Sequence, residues 1–434
     1  MVITKAQTNR DEWRTFAKIA KAISTTTKNL ARRYATKVVD RHIRVLDLSW
    51  MFLETIPEEV GELVYLQHLN LNNNRISNLR TIPKLSIATL EIRMNALTSV
   101  GSYITNLPQL EVLDAQENRI KSISEDIHHL RSLRFLDLGI NPLGQIPAQL
   151  CNVPRLEELH LNDCDVKRTE GLFEAPELLR VVNLSGNTVD KWPPFLVQTT
   201  NLEVLNLNGN NIRVLPPEVG LLTNLRELHM VGNLVESLPP QIGNLGRLTT
   251  LDLTDNRLHT LPPEIGNLKT LWSLDLGFNR IHSLPIDVAR LTGLRKLILF
   301  SNRLQDIPAG MVDLRQLHFL DLRSNPEMQE WAKAAGSPSP TPENELSVRT
   351  FIQDFLEFYQ HYQPYDTAFS THEVSNPSTP ERCLLCKQEI GPTQRIYKFT
   401  HKERVDLRGF VCHICHQEVR SAGFRIVRKD LHMD

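Results

Sequence analysis

Four cysteines near the C-terminus stand in two pairs, Cys383-Leu-Leu-Cys386 and Cys412-His-Ile-Cys415, with 25 residues between the pairs. Zinc prefers four soft or borderline ligands in a tetrahedron, and two C-x-x-C turns supply two thiolates each. A structural zinc ion contributes on the order of 10 kcal/mol in a small domain, enough to fold a segment with few apolar residues. The spacing therefore predicts one closed, structural Zn²⁺ site with no open coordination position for catalysis.

The cysteine-rich segment also carries a basic patch. Lys402, Arg404 and Arg408 lie between the two cysteine pairs among interleaved aromatic residues, a composition that suits nucleic acid. Residues 381–434 hold eleven basic and seven acidic side chains, and a net charge of +4 is more typical of the solvated face of a small zinc-ribbon-like module. Nucleic acid is therefore the alternative partner. A redox function is disfavoured, because there are two C-x-x-C pairs and no βαβ pattern around them.

A second set of candidate residues lies between positions 252 and 321, where large apolar side chains replace the Asp, Asn, Ser or Gly of other copies of a repeated motif. Contiguous exposed aromatic residues mark interfaces and dominate binding energy. Acidic residues at neighbouring positions can steer a basic partner. We therefore predict a protein-binding surface, unless a C-terminal helix or the cysteine-rich module folds over it. The predicted surface comprises Trp272, Phe278, Ile298, Phe300, Phe319, Asp252, Asp275 and Asp321.

The elements that must position these residues follow from the motif L-x-x-L-x-L-x-x-N, which occurs thirteen times between Ile43 and Asn325. The step is 23 residues except for one step of 21. A fixed period of this length predicts one short strand per copy, each contacting only its neighbours. The side-chain amide of the Asn satisfies backbone groups that a tight turn would leave unpaired, and Cys164 substitutes in the sixth copy through a weak S–H donor. The Asn position is filled by Met51, Asn74, Asn95, Asn118, Asn141, Cys164, Asn187, Asn210, Asn233, Asn256, Asn279, Asn302 and Asn325.

The second half of most copies has the form L-P-x-x-I/V, as in Leu215-Pro216-Pro217-Glu218-Val219. The whole pattern resembles that of intracellular leucine-rich-repeat proteins of the Ras-suppressor and plant Ras-group type, over about two-thirds of the chain. The resemblance implies an α/β solenoid of about 13 repeats, a horseshoe with a parallel concave sheet. It also implies a non-enzymatic scaffold or adaptor in signalling, such as a ubiquitin-ligase substrate receptor or, alternatively, a regulatory subunit of a phosphatase or small GTPase.

The sequence predicts five segments. Residues 1–42 are interpreted as a basic helical cap, with an amphipathic helix that docks on an anionic membrane or an acidic partner as the alternative. Residues 43–326 form the repeat array, and residues 327–363 a linker and a C-terminal capping helix. Residues 364–380 are a second linker, and residues 381–434 are the zinc-ribbon-like module.

The composition limits the classes of function that the chain can have. The net charge of −1 combines +7 for residues 1–42, −12 for the middle and +4 for residues 381–434. Six cysteines, four of them in C-x-x-C pairs, do not form a disulfide framework, so a reducing compartment is expected, the cytoplasm first and the nucleus second. No membrane span is expected, because no run of eighteen apolar residues occurs. No catalytic motif is found, so we expect a monomer that binds protein partners and is not an enzyme.

Overall fold

The computed structural model describes residues 44–167, 169 and 178–325, together with Ile352 and the backbone of three strands between residues 397 and 428. The chain divides into two compact units. Unit 1 comprises Met1–Asp252 and Leu261–Leu271, and unit 2 comprises Leu253–Thr260 and Trp272–Asp434. No helix within the described ranges is long and apolar enough for a membrane span.

Each repeat contributes one three-residue strand whose central residue is buried, as with Leu46, Leu69 and Leu205, all 0% exposed. Two further strands of two residues lie between repeats. The strands of the repeats are β1 Val45–Asp47, β2 His68–Asn70, β3 Thr89–Glu91, β5 Val112–Asp114, β7 Phe135–Asp137, β8 Glu158–His160, β9 Val181–Asn183, β10 Val204–Asn206, β11 Glu227–His229, β12 Thr250–Asp252, β13 Ser273–Asp275, β14 Lys296–Ile298 and β15 Phe319–Asp321. The shorter strands are β4 Ser99–Val100 and β6 Ser122–Ile123.

The thirteen strands of the repeats form one parallel sheet in chain order, and β4 pairs with β6 in parallel. The register joins equivalent residues of neighbouring repeats, such as Leu46 with Leu69 and Leu205 with Leu228. Neighbouring strands lie about 4.8 Å apart, so side chains at one repeat position form a row across the sheet. Buried leucines line one face, and the residues on either side of each leucine form the opposite face, which we call the strand face. The parallel sheet of about 13 strands confirms the predicted repeat architecture.

Short 3₁₀ helices of five residues follow most strands, and they begin after a proline in eight repeats. Proline fixes φ and cannot donate a hydrogen bond, which favours one short turn over a longer helix. The 3₁₀ helices are Glu58–Glu62, Ser102–Asn106, Glu125–His129, Ala148–Asn152, Pro194–Gln198, Pro217–Leu221, Pro240–Asn244, Pro263–Asn267, Ile286–Arg290 and Ala309–Asp313.

The asparagine row has the predicted role. Asn74 Oδ1 accepts hydrogen bonds from the backbone N–H groups of Met51 and Leu53, each at 3.0 Å. Its Nδ2 donates to the carbonyl oxygens of Leu48 at 2.9 Å and Leu71 at 2.8 Å. One buried amide therefore satisfies backbone groups of two repeats at once, and the other asparagines of the row repeat this arrangement.

Cys164 occupies the same position with a thiol in place of the amide. Its Sγ donates to the carbonyl oxygen of Leu138 at 3.2 Å, while Asn187 Oδ1 accepts the N–H of Cys164 at 3.0 Å. Burial raises the pKa of the Cys164 thiol to about 12, so the thiolate is not formed near neutral pH. The interpretation of Cys164 as a structural residue is confirmed.

The predicted end segments fall mostly outside the described residues. The helical cap at 1–42 and the cysteines of the zinc module lie outside them, and of the C-terminal capping helix only Ile352 is described, helical and 1% exposed. Within residues 381–434 the backbone forms an antiparallel sheet in the order β17-β16-β18. Its strands are β16 Tyr397–Thr400, β17 Phe410–Val411 and β18 Arg425–Arg428.

Candidate functional site

The strand face of unit 2 is built from β13, β14 and β15 and the turns that follow them. The register aligns Ser273 with Lys296 and Phe319 in one row. A second row is Asp275, Ile298 and Asp321. The 23-residue period thus brings most of the predicted partner-binding residues of this unit onto adjacent strands or their turns.

Three side chains in the turns after these strands form a cluster. Phe278 and Phe300 pack edge to face, with ring centroids 4.8 Å apart and an interplanar angle of 87°. The guanidinium carbon of Arg323 lies 5.3 Å from the centroid of the Phe300 ring. Aromatic pairs of this geometry contribute roughly 0.5–1.5 kcal/mol, and a cation over a ring roughly 0.5–1 kcal/mol at exposed sites. The cluster is therefore a fixed, partly exposed aromatic surface.

Phe278 has a left-handed backbone conformation, with φ at 53°, as do the equivalent residues of most other repeats. It precedes the buried asparagine of its repeat, and Gly186, Gly209 and Gly232 hold the same position with positive φ in other repeats. A bulky residue in this left-handed region costs roughly 1–2 kcal/mol. Met94, Ile140 and Asp255 share this conformation at the same repeat position, so it belongs to the turn of the repeat and does not by itself mark a binding site.

The other predicted residues differ in exposure. Trp272, directly before β13, is 47% exposed, and Phe319 and Asp275 are half-buried. Asp252, at the end of β12 in unit 1, is also half-buried. Trp272 is therefore the most exposed aromatic residue of the predicted surface.

Two predicted contact residues are buried, so the expectation of exposure is wrong for them. Ile298 is 9% exposed and lies between Asp275 and Asp321 in its row. Asp321 is 3% exposed, and its Oδ1 accepts hydrogen bonds from the backbone N–H of Arg323 at 3.1 Å and from its Nε at 2.8 Å. The Asp321 carboxylate is therefore occupied by an internal ion pair and orients the arginine that covers Phe300.

Sequence reasoning missed Arg323, and it missed a row of alternating charges in unit 1. Arg134 donates to Glu157 through Nε at 2.8 Å and Nη2 at 3.0 Å, and Arg180 Nε donates to Glu203 Oε1 at 2.8 Å. The hydrogen bond from Arg134 lowers the pKa of Glu157. The alternation of Glu and Arg was visible in the sequence at steps of 23 residues. Each of these residues lies two positions before the buried central residue of its strand. The row comprises Glu111, Arg134, Glu157, Arg180, Glu203 and Arg226.

Carboxylates also cluster on the strand face of unit 1, where Glu91, Asp114 and Asp137 lie side by side on β3, β5 and β7. Burial raises the pKa of Asp137, and the neighbouring Asp114 raises it further. The N–H of Gly139 and the charge of His160 oppose that shift. Among the described residues no group of three His, Cys, Asp or Glu side chains is arranged to hold a metal ion.

A family described as a leucine-rich repeat region matches residues 29–195 and 241–334, more than half of the 434 residues. The chain belongs to the leucine-rich-repeat family. A second family description, leucine-rich repeats in two copies, matches residues 200–243.

Similar proteins share the leucine-rich repeats over part of their length. The human volume-regulated anion channel subunit LRRC8A is 33% identical over 128 residues, which are 28% of this chain and 16% of that protein. A probable disease resistance protein of Arabidopsis thaliana is 31% identical over 114 residues, 25% of this chain and 13% of that protein. The aligned regions thus span less than a fifth of either relative.

Among solved structures, the ectodomain of the plant membrane receptor kinase GASSHO1/SCHENGEN3 from Arabidopsis thaliana is similar, with 28% identity and a TM-score of 0.55. The similarity covers 66% of this chain and 36% of that chain.

The leucine-rich-repeat fold typically binds protein partners and is generally a non-enzymatic scaffold. The fold therefore supports protein–protein interaction as the general role of this chain. The predicted zinc ligands Cys383, Cys386, Cys412 and Cys415 and the basic patch Lys402, Arg404 and Arg408 lie outside the described residues.

Proposed function

We propose that this leucine-rich-repeat chain is a non-enzymatic adaptor that binds a protein partner on the strand face of unit 2. The observation that carries the proposal is the cluster of Phe278, Phe300 and Arg323, to which the exposed Trp272 before β13 adds a further aromatic side chain. Aromatic and arginine side chains are the residues most enriched among energetic anchors of protein interfaces.

The partner binds these anchors with apolar side chains that fill the space around the two phenylalanines. The two rings are already packed against each other and Arg323 is held by Asp321, so little side-chain freedom is lost on binding. Preorganisation of this kind lets a small surface contribute a large share of the affinity. Similarity to the GASSHO1/SCHENGEN3 ectodomain, whose structure was solved in complex with CASPARIAN STRIP INTEGRITY FACTOR 2, supports a ligand-binding role.

Affinity purification of the tagged full-length chain from its native cells, with and without nuclease, tests the adaptor function. We expect discrete proteins, identified by mass spectrometry, that remain after nuclease treatment. Cullin-family proteins among them would assign the more specific role of ubiquitin-ligase substrate receptor. Recovery of nucleic acid together with its bound proteins, all of which disappear after nuclease treatment, would contradict the proposal. It would favour nucleic-acid binding by the two basic ends of the chain.

We further propose that Cys383, Cys386, Cys412 and Cys415 hold one structural Zn²⁺ ion and that the zinc module is a second contact for the partner. Four thiolates in two C-x-x-C pairs form a complete tetrahedral ligand set. The described backbone supports this proposal, because β17 ends at Val411, directly before the second cysteine pair, and pairs with β16.

A chain with zinc thiolates belongs in a reducing compartment, which we propose is the cytoplasm, with the nucleus as the alternative. In the described part of the chain Cys151 and Cys164 form no disulfide bond, in keeping with that compartment. Cell fractionation of the native protein, with the recovered fraction blotted for a cytoplasmic and a nuclear marker, tests this assignment.

A further inference from the structure

A small cleft lies on the strand face of unit 1, at β5, β7 and β8. Its volume is about 280 Å³. This is just below the range of roughly 300–1,000 Å³ that is usual for small-molecule and cofactor sites, and it suits one long side chain of a bound segment. The cleft is lined by Glu111, Val112, Arg134, Phe135, Glu157 and Glu158.

The lining of the cleft holds three glutamates and one arginine, so it carries more negative than positive charge. Arg134 is engaged with Glu157 through two hydrogen bonds, which leaves Glu111 and Glu158 as further carboxylates of the lining. Arg134 attracts Glu111 and Glu158 electrostatically, and Arg180 also acts on Glu158. Asp114 and Asp137 stand in the adjacent row of the same face, where His160 and Arg93 act on Asp137. The site therefore attracts a cation.

The side chains in the wall and rim of the cleft favour a planar cation. Phe135 lines the wall half-buried, and its ring is held by His160, with centroids 5.1 Å apart. The Nε2 atom of His160 is buried without a hydrogen-bond partner, 3.9 Å from Glu158 Oε2. A planar guanidinium can stack on an aromatic ring while donating to two carboxylates, which an ammonium does less well.

A chelated metal ion fits the site poorly. Metal ions need three or more ligand atoms converging on one point, and no three His, Cys, Asp or Glu side chains in the described ranges converge in that way. Carboxylates spread over three strands instead match a polypeptide that crosses them.

We propose that this cleft in unit 1 is a second interaction site, distinct from the aromatic surface of unit 2, and that it takes an arginine side chain from a basic segment of a protein partner. The guanidinium stacks on Phe135 and pairs with Glu111 and Glu158. The adjacent Asp114 and Asp137 attract further basic residues of the same segment. The cleft shares no residue with the surface of unit 2, so this proposal can be wrong while the proposed function is right, and the reverse.

Fluorescence anisotropy with the full-length chain tests the proposal, using a labelled peptide of alternating Arg and Gly as the probe. The test variant is Glu111→Gln with Glu158→Gln. The matched control is Glu218→Gln with Glu236→Gln, which removes the same net charge at residues outside the cleft. We expect at least a tenfold weaker Kd for the test variant and less than a twofold change for the control. A peptide with Lys in place of Arg should bind several-fold more weakly, and all binding should weaken between about 50 and 200 mM salt.

Equal weakening by both variant pairs would overturn the proposal, because it would show that net charge alone attracts the peptide. Peptide binding that appears only in the variant Arg32→Glu with Arg33→Glu would also overturn it, since the chain's own basic N-terminal segment would then be the occupant. Thermal melting by circular dichroism checks that the Gln variants are folded, and a folded test variant with unchanged affinity would exclude the cleft.

Discussion

Single residues of this protein carry a buried charge or a strained backbone conformation. Asp137 is the case of charge, because burial and the nearby Asp114 raise its pKa while the Gly139 N–H, His160 and Arg93 favour the ionised form. Phe278 is a case of backbone strain, with a positive φ that the same turn imposes in most repeats. Neither could be predicted from the sequence, since Asp is frequent at that repeat position and φ depends on the turn that the buried asparagine imposes. The role of that asparagine could be predicted, because its chemistry is local.

Asp137→Asn should stabilise the protein at neutral pH. Asn keeps an oxygen that can accept the N–H of Gly139, now at 2.8 Å from Asp137 Oδ1, but it carries no charge to be buried. The folded-state pKa of Asp137 is raised above the unfolded value. The buried, ionised carboxylate therefore destabilises the native protein fully above the folded-state pKa, and this destabilisation is lost as the pH falls towards about 3.9. Thermal melting of both proteins from pH 7 downwards should show a higher Tm for Asp137→Asn that converges with the native Tm. A constant difference at all pH values would contradict the assigned cause.

At the level of elements, the 3₁₀ helices of neighbouring repeats pack so closely that glycine is needed between them. A methyl group at Gly243 would lie 2.5 Å from the carbonyl oxygen of Glu264, on the next 3₁₀ helix. The L-P-x-x-I/V pattern is visible in the sequence, and the structure shows 3₁₀ helices after the proline. The separation between them was not predictable, because it depends on how tightly consecutive repeats stack.

Gly243→Ala should therefore destabilise unit 1 by about 1–3 kcal/mol, the usual cost of forcing extra atoms into a packed interface. Gly246→Ala is the matched control, because a methyl group there has no neighbour within 4 Å. Urea unfolding followed by circular dichroism measures both. Equal effects of the two substitutions would show that helix packing does not limit this position.

At the scale of the whole molecule, the chain joins a repeat array whose strand face carries binding residues to a C-terminal segment with the composition of a zinc module. The repeat period made the array and its parallel sheet predictable. It also placed Trp272, Phe278 and Phe300 on one face, but it could not show that Ile298 is covered or that Asp321 is paired with Arg323. Those outcomes depend on contacts between repeats that differ from copy to copy.

The purified full-length protein should contain about one zinc ion per chain. Elemental analysis by mass spectrometry measures the ratio. Cys383→Ser should lower zinc retention after dialysis against a chelator, because it removes one of four thiolates. Cys151→Ser, which changes a half-buried thiol of the repeat array, should leave the ratio unchanged. A native protein without zinc would contradict the proposed module.

The central proposal is that the aromatic cluster of unit 2 holds the partner. Asp at positions 163 and 255 has the same left-handed backbone as Phe278, so Phe278→Asp is compatible with the fold. Ser185 and Thr254 show that Phe300→Ser is likewise compatible with its repeat position. Met94→Asp is the matched control, because Met94 is 44% exposed and has φ at 54° at the same repeat position.

The most direct test is the affinity of the recovered partner for the native protein, for Phe278→Asp with Phe300→Ser, and for Met94→Asp, measured by titration calorimetry. We predict a loss of at least about 2 kcal/mol of binding free energy for the double variant, as for interface anchors in general, and less than about 0.5 kcal/mol for Met94→Asp. Unchanged affinity of a folded double variant would contradict the account.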